Sequence, residues 1–294
     1  MKKIIKETLI IIITALVCYL IYDNKDIIGD KLIHLYVKYL QPDIKQTLVD
    51  NEYRKNENYQ YVKINENFKL NNLDDIKNSI YTFLDAGWDK YILQCNPDYI
   101  GCENDFKTFL ENETTLSYIN GFVHPFNSYN HLDVKIDSSG KIFIEKTNLY
   151  TDLEISETSK KVDEIYNKLY DKNKSERENI KTFHDYIIKN TTYDKNQMKA
   201  YDILINNKGN CSAYSSAMAL FLNKMNIKNY IITSDTHAWN MVYIDNSWKH
   251  LDLTWDDVSI EPVYTYFLID SEVLHNNDKS KEHNFDNKIY LEAQ

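Results

Sequence analysis

The chain lacks the spacings by which cysteine and histidine side chains usually bind metal ions. It has four cysteines and eight histidines in 294 residues, but no Cys-x-x-Cys pair and no His-Glu-x-x-His motif. It also has no glycine-rich phosphate loop and no Gly-x-Ser-x-Gly elbow. We therefore predict no metal ion and no cofactor.

Basic side chains are not clustered anywhere except at the extreme N-terminus, where Lys2, Lys3 and Lys6 lie. The net charge is −10, so nucleic acid is a poor expectation as a partner. A hydrophobic content of 43% is enough for a real core.

The N-terminus carries an apolar segment at residues 8–22. Fifteen helical residues span roughly 22 Å, which is short of a usual ~20-residue crossing. No small-x-small cleavage signal follows it. We therefore expect residues 1–22 to be an uncleaved signal anchor, a single membrane-spanning helix. The N-terminus would lie inside the cell and the main domain would be extracytoplasmic.

The order of the remaining segments predicts an α+β protein. We expect a juxtamembrane helix and linker at 23–70, a small α+β N-terminal domain at 71–155, and a larger domain at 156–294. The predicted helices are 73–86, 105–110, 156–170, 176–190 and 211–225, and the predicted strands are 88–94, 132–136, 141–146, 237–244, 248–255 and 264–269.

Residues 211–225 form the most informative predicted helix. Apolar residues recur at steps of three and four, and the helix is apolar over most of its surface, so it should be largely buried. Asn210 is a good N-cap and Gly209 suits the turn before it. Cys211 would lie in the first turn, where the helix dipole favours the thiolate. A lone cysteine is more often a small buried hydrophobe, so its partners decide the interpretation.

Two alternating segments, 237–244 and 248–255, predict a hairpin. If the loop is the two residues 245–246, His237 and Asp252 are diagonal neighbours on one face, roughly 7–8 Å apart at the backbone. A register slip of one residue would place them on opposite faces. The predicted opposite pairs are Ile244 with Ser247, Trp239 with Asp252, and His237 with Thr254.

A thiol, an imidazole and a carboxylate thus occur in the order that a cysteine nucleophile requires. We expect His237 to take the proton of Cys211 and Asp252 to orient His237. Taken singly, His237 and Asp252 could be ordinary sheet residues. A zinc site at His237 and His250 is a weaker alternative, because the usual ligand spacing is missing.

These residues resemble the transglutaminase-like superfamily, whose members share a papain-like core in which a helix carrying the cysteine packs on an antiparallel sheet. The resemblance covers about residues 175–260. The matching motifs are Gly209-Asn210-Cys211, His237-Ala238-Trp239, Trp248-Lys249-His250-Leu251-Asp252-Leu253-Thr254 and, upstream, Tyr193-Asp194.

The resemblance implies Cys211 as the nucleophile, His237 as the base and Asp252 as the orienting carboxylate. Leu253 stands where the family usually has proline. A second oxyanion donor beside the backbone N–H of Cys211 is not evident, and Tyr193 is a candidate.

The first functional hypothesis is a thiol enzyme that transfers acyl groups from amide bonds at the cell surface. The acceptor would be water in a protease or amidase, or an amine in a cross-linking enzyme. The expected substrate is a protein or peptide, including cell-wall peptide. The alternatives are a non-catalytic binding or scaffold module that keeps the fold, and a metal-dependent hydrolase.

Cys95 and Cys102 are the remaining pair, since Cys18 lies in the apolar segment and Cys211 must stay free. Pro97 and Gly101 favour a turning loop between them. An oxidising compartment would hold a disulfide there, and the alternative is two unpaired thiols.

Overall fold

The computed structural model describes residues 58–62, 68–258 and 261–294, with the single residues Tyr19, Tyr22, Ile28 and Lys31. Apart from Tyr19 and Tyr22, the predicted signal anchor lies outside the described residues, and so does most of the predicted linker. Within the described ranges, no helix has the length and apolar character needed to span a bilayer.

The described residues combine α-helices with antiparallel sheets and one short parallel strand pair. The helices are α1 Leu73–Asp85, α2 Cys102–Glu111, α3 Glu113–Gly121, α4 Asp152–Leu169, α5 Glu176–Lys189, α6 Ala200–Asn206, α7 Cys211–Lys224, α8 Leu253–Asp256 and α9 Ser271–Asn277. The strands are β1 Lys90–Gln94, β2 Tyr129–Ile136, β3 Lys141–Asn148, β4 Thr192–Tyr193, β5 Lys208–Gly209, β6 Asn229–Thr233, β7 Ala238–Ile244, β8 Ser247–Leu251 and β9 Phe267–Ile269.

The C-terminal sheet has the antiparallel order β6-β7-β8-β9. Ile244 pairs with Ser247 across the loop Asp245-Asn246, which is the predicted register. Both loop residues have positive φ, 53° and 62°, as the favoured two-residue hairpin turn requires. The prediction that this second strand reaches residue 255 is wrong. β8 ends at Leu251, because Asp252 accepts backbone N–H bonds and begins helix α8.

Helix α7 lies in a hydrophobic core that it shares with α5, α6 and β7. Its buried residues include Ala213, Tyr214, Met218 and Phe221. The Asn210 side chain accepts from the N–H of Ala213 at 3.2 Å, which is the predicted cap. Bonds of this kind satisfy the free N–H groups at a helix start, so the first turn that carries Cys211 is firmly defined.

The N-terminal layer consists of α1–α3 and a sheet of order β1-β3-β2. It shares a hydrophobic cluster with the C-terminal sheet, so residues of the two predicted domains pack in one core. The ring of Phe122 lies 4.9 Å from that of Tyr230 in β6. A Cβ at Gly121 would lie 2.3 Å from the carbonyl oxygen of Ile231. This contact requires glycine and sets how closely α3 approaches the sheet.

Cys95, after β1, and Cys102, at the start of α2, are joined by a disulfide, with their Cα atoms 6.0 Å apart. The sequence pairs the same two residues. The bridge fixes the loop between β1 and α2.

Candidate active site

Cys211 begins helix α7 and is half-buried. Of the three cysteines that the structure describes, Cys211 is the one with a free thiol. Burial raises the pKa of its thiol, but hydrogen bonding to His237, the charge of His237 and a backbone hydrogen bond from Ala238 outweigh burial. The pKa of Cys211 is therefore below its ordinary value, and the thiolate is favoured.

His237 lies directly before β7 and is 6% exposed. Its Nε2 lies 2.6 Å from Oδ2 of Asp252, which leaves Nδ1 as the ring nitrogen available to Cys211. Burial lowers the pKa of His237, but the charge and hydrogen bond of Asp252, followed by those of Cys211, raise it to about 10. The imidazolium is thus the favoured form at neutral pH.

Asp252 is 1% exposed and accepts four hydrogen bonds. Oδ1 accepts from the backbone N–H groups of Thr254 at 2.8 Å and Trp255 at 3.2 Å. Oδ2 meets Nε2 of His237 and, at 2.8 Å, Nε2 of His283. Burial raises the pKa of Asp252, but the charges and hydrogen bonds of the two histidines lower it well below its usual range. The buried carboxylate therefore stays ionised.

The structure thus brings Cys211, His237 and Asp252, the three residues predicted from the sequence, into one site. Nε2 of His237 lies within hydrogen-bond distance of Oδ2 of Asp252, and the side chain of His237 interacts with the thiolate of Cys211 and lowers the thiol pKa. This arrangement can attack an electrophilic carbon and pass a proton between the reacting atoms.

The first prediction concerns this ion pair. We expect iodoacetamide to alkylate Cys211 rapidly down to pH values well below ~8.5, the ordinary thiol pKa. His237→Ala should slow alkylation near neutral pH by roughly 10- to 100-fold, because the thiol pKa then returns toward its ordinary value. The alkylation rate is measured by quenching the reaction at a series of times and quantifying the labelled peptide by mass spectrometry.

His131→Ala is the matched control, since His131 is exposed and its ring faces Asp133 at 3.6 Å. Equal alkylation rates in the wild type and His237→Ala would contradict the ion pair.

His283 is the site residue that the sequence does not reveal. It is fully buried and lies 31 positions beyond Asp252. It belongs to no recognised sequence motif and to no strand. Its ring packs among Trp239, Trp255 and Tyr266, with centroids 4.9, 4.8 and 5.1 Å away. A local sequence pattern could not have identified it, because the C-terminal segment reaches the site through tertiary packing alone.

His250 does not join His237 in a metal site. Its Nδ1 accepts from Nε1 of Trp239 at 3.0 Å and its Nε2 lies 2.8 Å from Oγ of Ser271. Burial, followed by the charges of His283 and His275, lowers the pKa of His250 to about 3. It is a neutral histidine with both nitrogens engaged.

A metal ion could be considered at His237, Asp252 and His283, whose ligand atoms lie within 4.8 Å of one another. The Nε2–Oδ2 separations of 2.6 and 2.8 Å are hydrogen-bond lengths. Tetrahedral zinc ligands at their usual bond lengths are about 3.3 Å apart. The donor set is therefore built as a hydrogen-bonded network and does not fit zinc as it stands.

His184 is fully buried in α5. Its ring nitrogens lie 3.0 Å from Oδ1 of Asp185 and 3.3 Å from Oδ2 of Asp256. These contacts connect α5 to the end of α8, the helix that Asp252 caps.

Tyr193, the candidate oxyanion donor, lies on β4 and pairs with Gly209 of β5, two residues before Cys211. It is 54% exposed. Burial raises its pKa, followed by the charges of Cys211 and Glu282. The phenol is thus protonated and lies within the electrostatic reach of the thiol.

A cleft of about 600 Å³ opens beside the N-terminal end of α7. Ser212 follows Cys211 and Ala238 follows His237, and both line it. Asn120 and Gly121 of α3 also line it. Among the described residues that line the cleft there is no Asp, Glu, Lys or Arg, so the cleft suits an uncharged segment.

Residues 163–253 match the family model of the transglutaminase-like superfamily. This range contains Cys211, His237 and Asp252, and it does not contain His283. No curated protein sequence shows significant similarity to the chain.

Two solved structures give partial alignments. One, described as a TGase, is 16% identical over 43% of this chain and 45% of its own, with a TM-score of 0.33. The other, a proposed cysteine protease of Cytophaga hutchinsonii, is 15% identical over 42% of this chain and 61% of its own, with a TM-score of 0.30. This chain thus spans less than two thirds of either, and such scores do not establish a common overall fold.

Proposed function

Through residues 163–253 the chain belongs to the transglutaminase-like superfamily, and from this premise we propose that it is a thiol enzyme that transfers acyl groups from amide bonds. The observation that carries the proposal is the buried hydrogen bond of 2.6 Å between His237 and Asp252, together with the lowered pKa of Cys211. Such a chain supplies a nucleophile, a proton carrier and an orienting charge.

The first half of the proposed reaction forms an acyl-enzyme. The thiolate of Cys211 attacks the carbonyl carbon, and the carbonyl π electrons move to oxygen. As they return, the C–N bond breaks and the nitrogen takes the proton from Nδ1 of His237. An amine leaves, and a thioester remains on Cys211 beside a neutral His237.

The second half returns the enzyme to its starting state. Water or a primary amine attacks the thioester carbon and gives its proton to Nδ1 of His237. The C–S bond then breaks, which releases a carboxylic acid or a new amide and restores the thiolate–imidazolium pair. Asp252 keeps Nε2 of His237 protonated throughout.

The proposed oxyanion donors are the backbone N–H of Cys211 and the hydroxyl of Tyr193. The first N–H groups of a helix have no partner within the helix. They point out of its N-terminus and can donate hydrogen bonds to a negatively charged oxygen placed there. Tyr193 keeps its proton because its pKa is raised.

The proposed substrate is a protein or peptide, including cell-wall peptide, that places an uncharged segment in the cleft beside Cys211. We place the reaction outside the cytoplasm, at the outer face of the membrane. The Cys95–Cys102 disulfide supports this location, since structural disulfides persist in oxidising compartments.

The second prediction tests the reaction itself. We expect the full-length protein, incubated with a mixture of surface peptides and a biotin-labelled primary alkylamine, to give products that depend on Cys211. Mass spectrometry would find a peptide acyl group on Cys211 and either cleaved or amine-modified peptides. The ratio of the two products identifies the acceptor.

Cys211→Ser tests whether the thiol is required, and Ser156→Ala, at an exposed serine of α4 outside the cleft, is its control. No acyl group on Cys211 in a protein whose thiol reacts rapidly with iodoacetamide would contradict acyl transfer. Product formation that survives Cys211→Ser would assign the activity to another residue.

A further inference from the structure

We propose that His283 is a positioning residue, which holds Asp252 ionised and oriented toward His237. The inference rests on the proposed function, since it concerns the same thiol site. It assigns a role to a residue that lies outside the segment matching the family model, residues 163–253.

The carboxylate of Asp252 is almost completely shielded from bulk solvent, because it is 1% exposed. Its charge must be stabilised by hydrogen bonds from the protein. Oδ1 has two backbone donors, and Oδ2 has the two Nε2 atoms of His237 and His283. During catalysis His237 changes its charge, whereas His283 takes no part in the proton transfer. Nε2 of His237 also keeps its proton, but the ring of His237 loses and regains its charge, so His283 is the side-chain donor to Oδ2 that the reaction leaves unchanged.

The ring of His283 has little freedom to turn away from Asp252. It stacks on Tyr266 with an interplanar angle of 14° and meets the edges of Trp239 and Trp255. Its backbone N–H donates to Oδ2 of Asp278 at 2.8 Å. The hydrogen bond to Asp278 therefore holds the backbone of His283, and the aromatic contacts hold its ring.

Asp278 organises the loop that carries His283. Its Oδ1 accepts from the backbone N–H groups of Ser280 at 3.0 Å and Lys281 at 2.9 Å. Nδ1 of His283 lies 3.4 Å from Oδ2 of Asp278 but has no hydrogen bond of good geometry. Nε2 is thus the ring nitrogen that makes the directed contact, and that contact is with Asp252.

The hydrogen bond from Nε2 of His283 has a chemical consequence for Cys211. With this donor the charge of Asp252 stays fixed beside His237, which stabilises the imidazolium and, through it, the thiolate. Without the donor, the ionised carboxylate is less favourable in its buried site. The imidazolium and thiolate then lose part of their support, and the pKa of Cys211 rises.

Two substitutions separate the hydrogen bond from the packing. The amide nitrogen of glutamine lies the same number of bonds from the backbone as Nε2 of histidine, so His283→Gln can still donate to Asp252. The amide nitrogen of asparagine corresponds to Nδ1, so His283→Asn cannot reach. Both variants remove the ring from the contacts with Tyr266 and Trp255, so loss of ring packing is common to the pair.

The test measures iodoacetamide alkylation of Cys211 across pH in the wild type and both variants, with folding checked by circular dichroism. We expect His283→Asn to slow alkylation near neutral pH by roughly 3- to 10-fold, less than His237→Ala, and to move the midpoint of its pH dependence to higher pH. His283→Gln should restore most of the rate. Equal rates in the two variants, whether high or low, would overturn the proposal.

A measurement on the wild type covers the case in which a variant does not fold. Nitrogen NMR of protein with ¹⁵N-labelled histidine should show His283 protonated at Nε2. An unprotonated Nε2 would overturn the proposal.

If His237→Ala leaves alkylation unchanged, the proposed function fails. If it slows alkylation and His283→Asn does not, only the role of His283 fails.

Discussion

Replacing Asp252 with asparagine is expected to lower acyl transfer by about 10³- to 10⁴-fold without unfolding the protein. The size of the effect follows from the hydrogen bonds around the carboxylate. Asparagine is a good N-cap, so its side-chain oxygen can still accept from the N–H groups of Thr254 and Trp255 and hold helix α8.

That cap forces the orientation of the new amide. If its oxygen stays at the position of Oδ1, its NH₂ group occupies the position of Oδ2 and faces Nε2 of both His237 and His283. Two donors cannot share a hydrogen bond, so Nε2 of His237 must give up its proton. The proton then lies on Nδ1, facing Cys211, and His237 can no longer accept the thiol proton.

Turnover of the peptide substrate found by the amine-incorporation assay measures the loss, and nitrogen NMR of labelled His237 reports the change of tautomer. Asp257→Asn is the matched control, at the other end of α8. Its side chain accepts from the hydroxyl of Tyr214, a bond that asparagine can keep. Full turnover in Asp252→Asn, or an equal loss in Asp257→Asn, would show that another group orients His237.

The hairpin that brings the triad together could be predicted because its signals are local. The alternation of apolar residues defines the two strands, and the pair Asp245-Asn246 tolerates the positive φ that fixes the register. The cap at Asn210 is equally local. The Cys211–His237–Asp252 chain could therefore be predicted in outline from short windows of sequence.

Three features could not be predicted: the end of β8, which follows from a local helix cap, and strand β6 and His283, which depend on tertiary packing. Alternation continues through Asp252 and Thr254 and predicts more strand, but the carboxylate of Asp252 competes for two backbone N–H groups and starts α8. Strand β6 belongs to the C-terminal sheet, although its sequence shows no strong alternation of apolar and polar residues. His283 enters the site from a loop that only Asp278 and the aromatic rings define.

The largest effect on stability is expected from His184→Ala, which should lower the free energy of unfolding by about 3–5 kcal/mol. His184 places one ring nitrogen on Asp185 and the other on Asp256, an arrangement in which both nitrogens donate. Burial lowers the pKa of His184, but the hydrogen bonds to Asp185 and Asp256 and the charges of both carboxylates raise it above its ordinary value. The buried ring is therefore favoured as an imidazolium.

Without His184, the fully buried carboxylate of Asp256 keeps the hydrogen bond from the backbone N–H of Tyr266 at 2.9 Å but loses its cationic partner. Burial already raises the pKa of Asp256, so an unpaired charge there is costly. The free energy of unfolding is measured by urea denaturation at about pH 6, with His131→Ala as the control. The control should change stability by less than about 0.5 kcal/mol, because His131 is exposed.

The pH dependence supplies an independent check with a defined sign. A group whose pKa is raised on folding adds stability that is fully present below its unfolded value, ~6.5 for histidine, and is lost as pH rises through the folded value. The difference in unfolding free energy between the wild type and His184→Ala should therefore narrow as pH rises above neutrality. A difference that stays below about 1 kcal/mol at pH 6, or that widens at higher pH, would show that His184 is buried neutral. The link between α5 and the helix capped by Asp252 would then depend on packing.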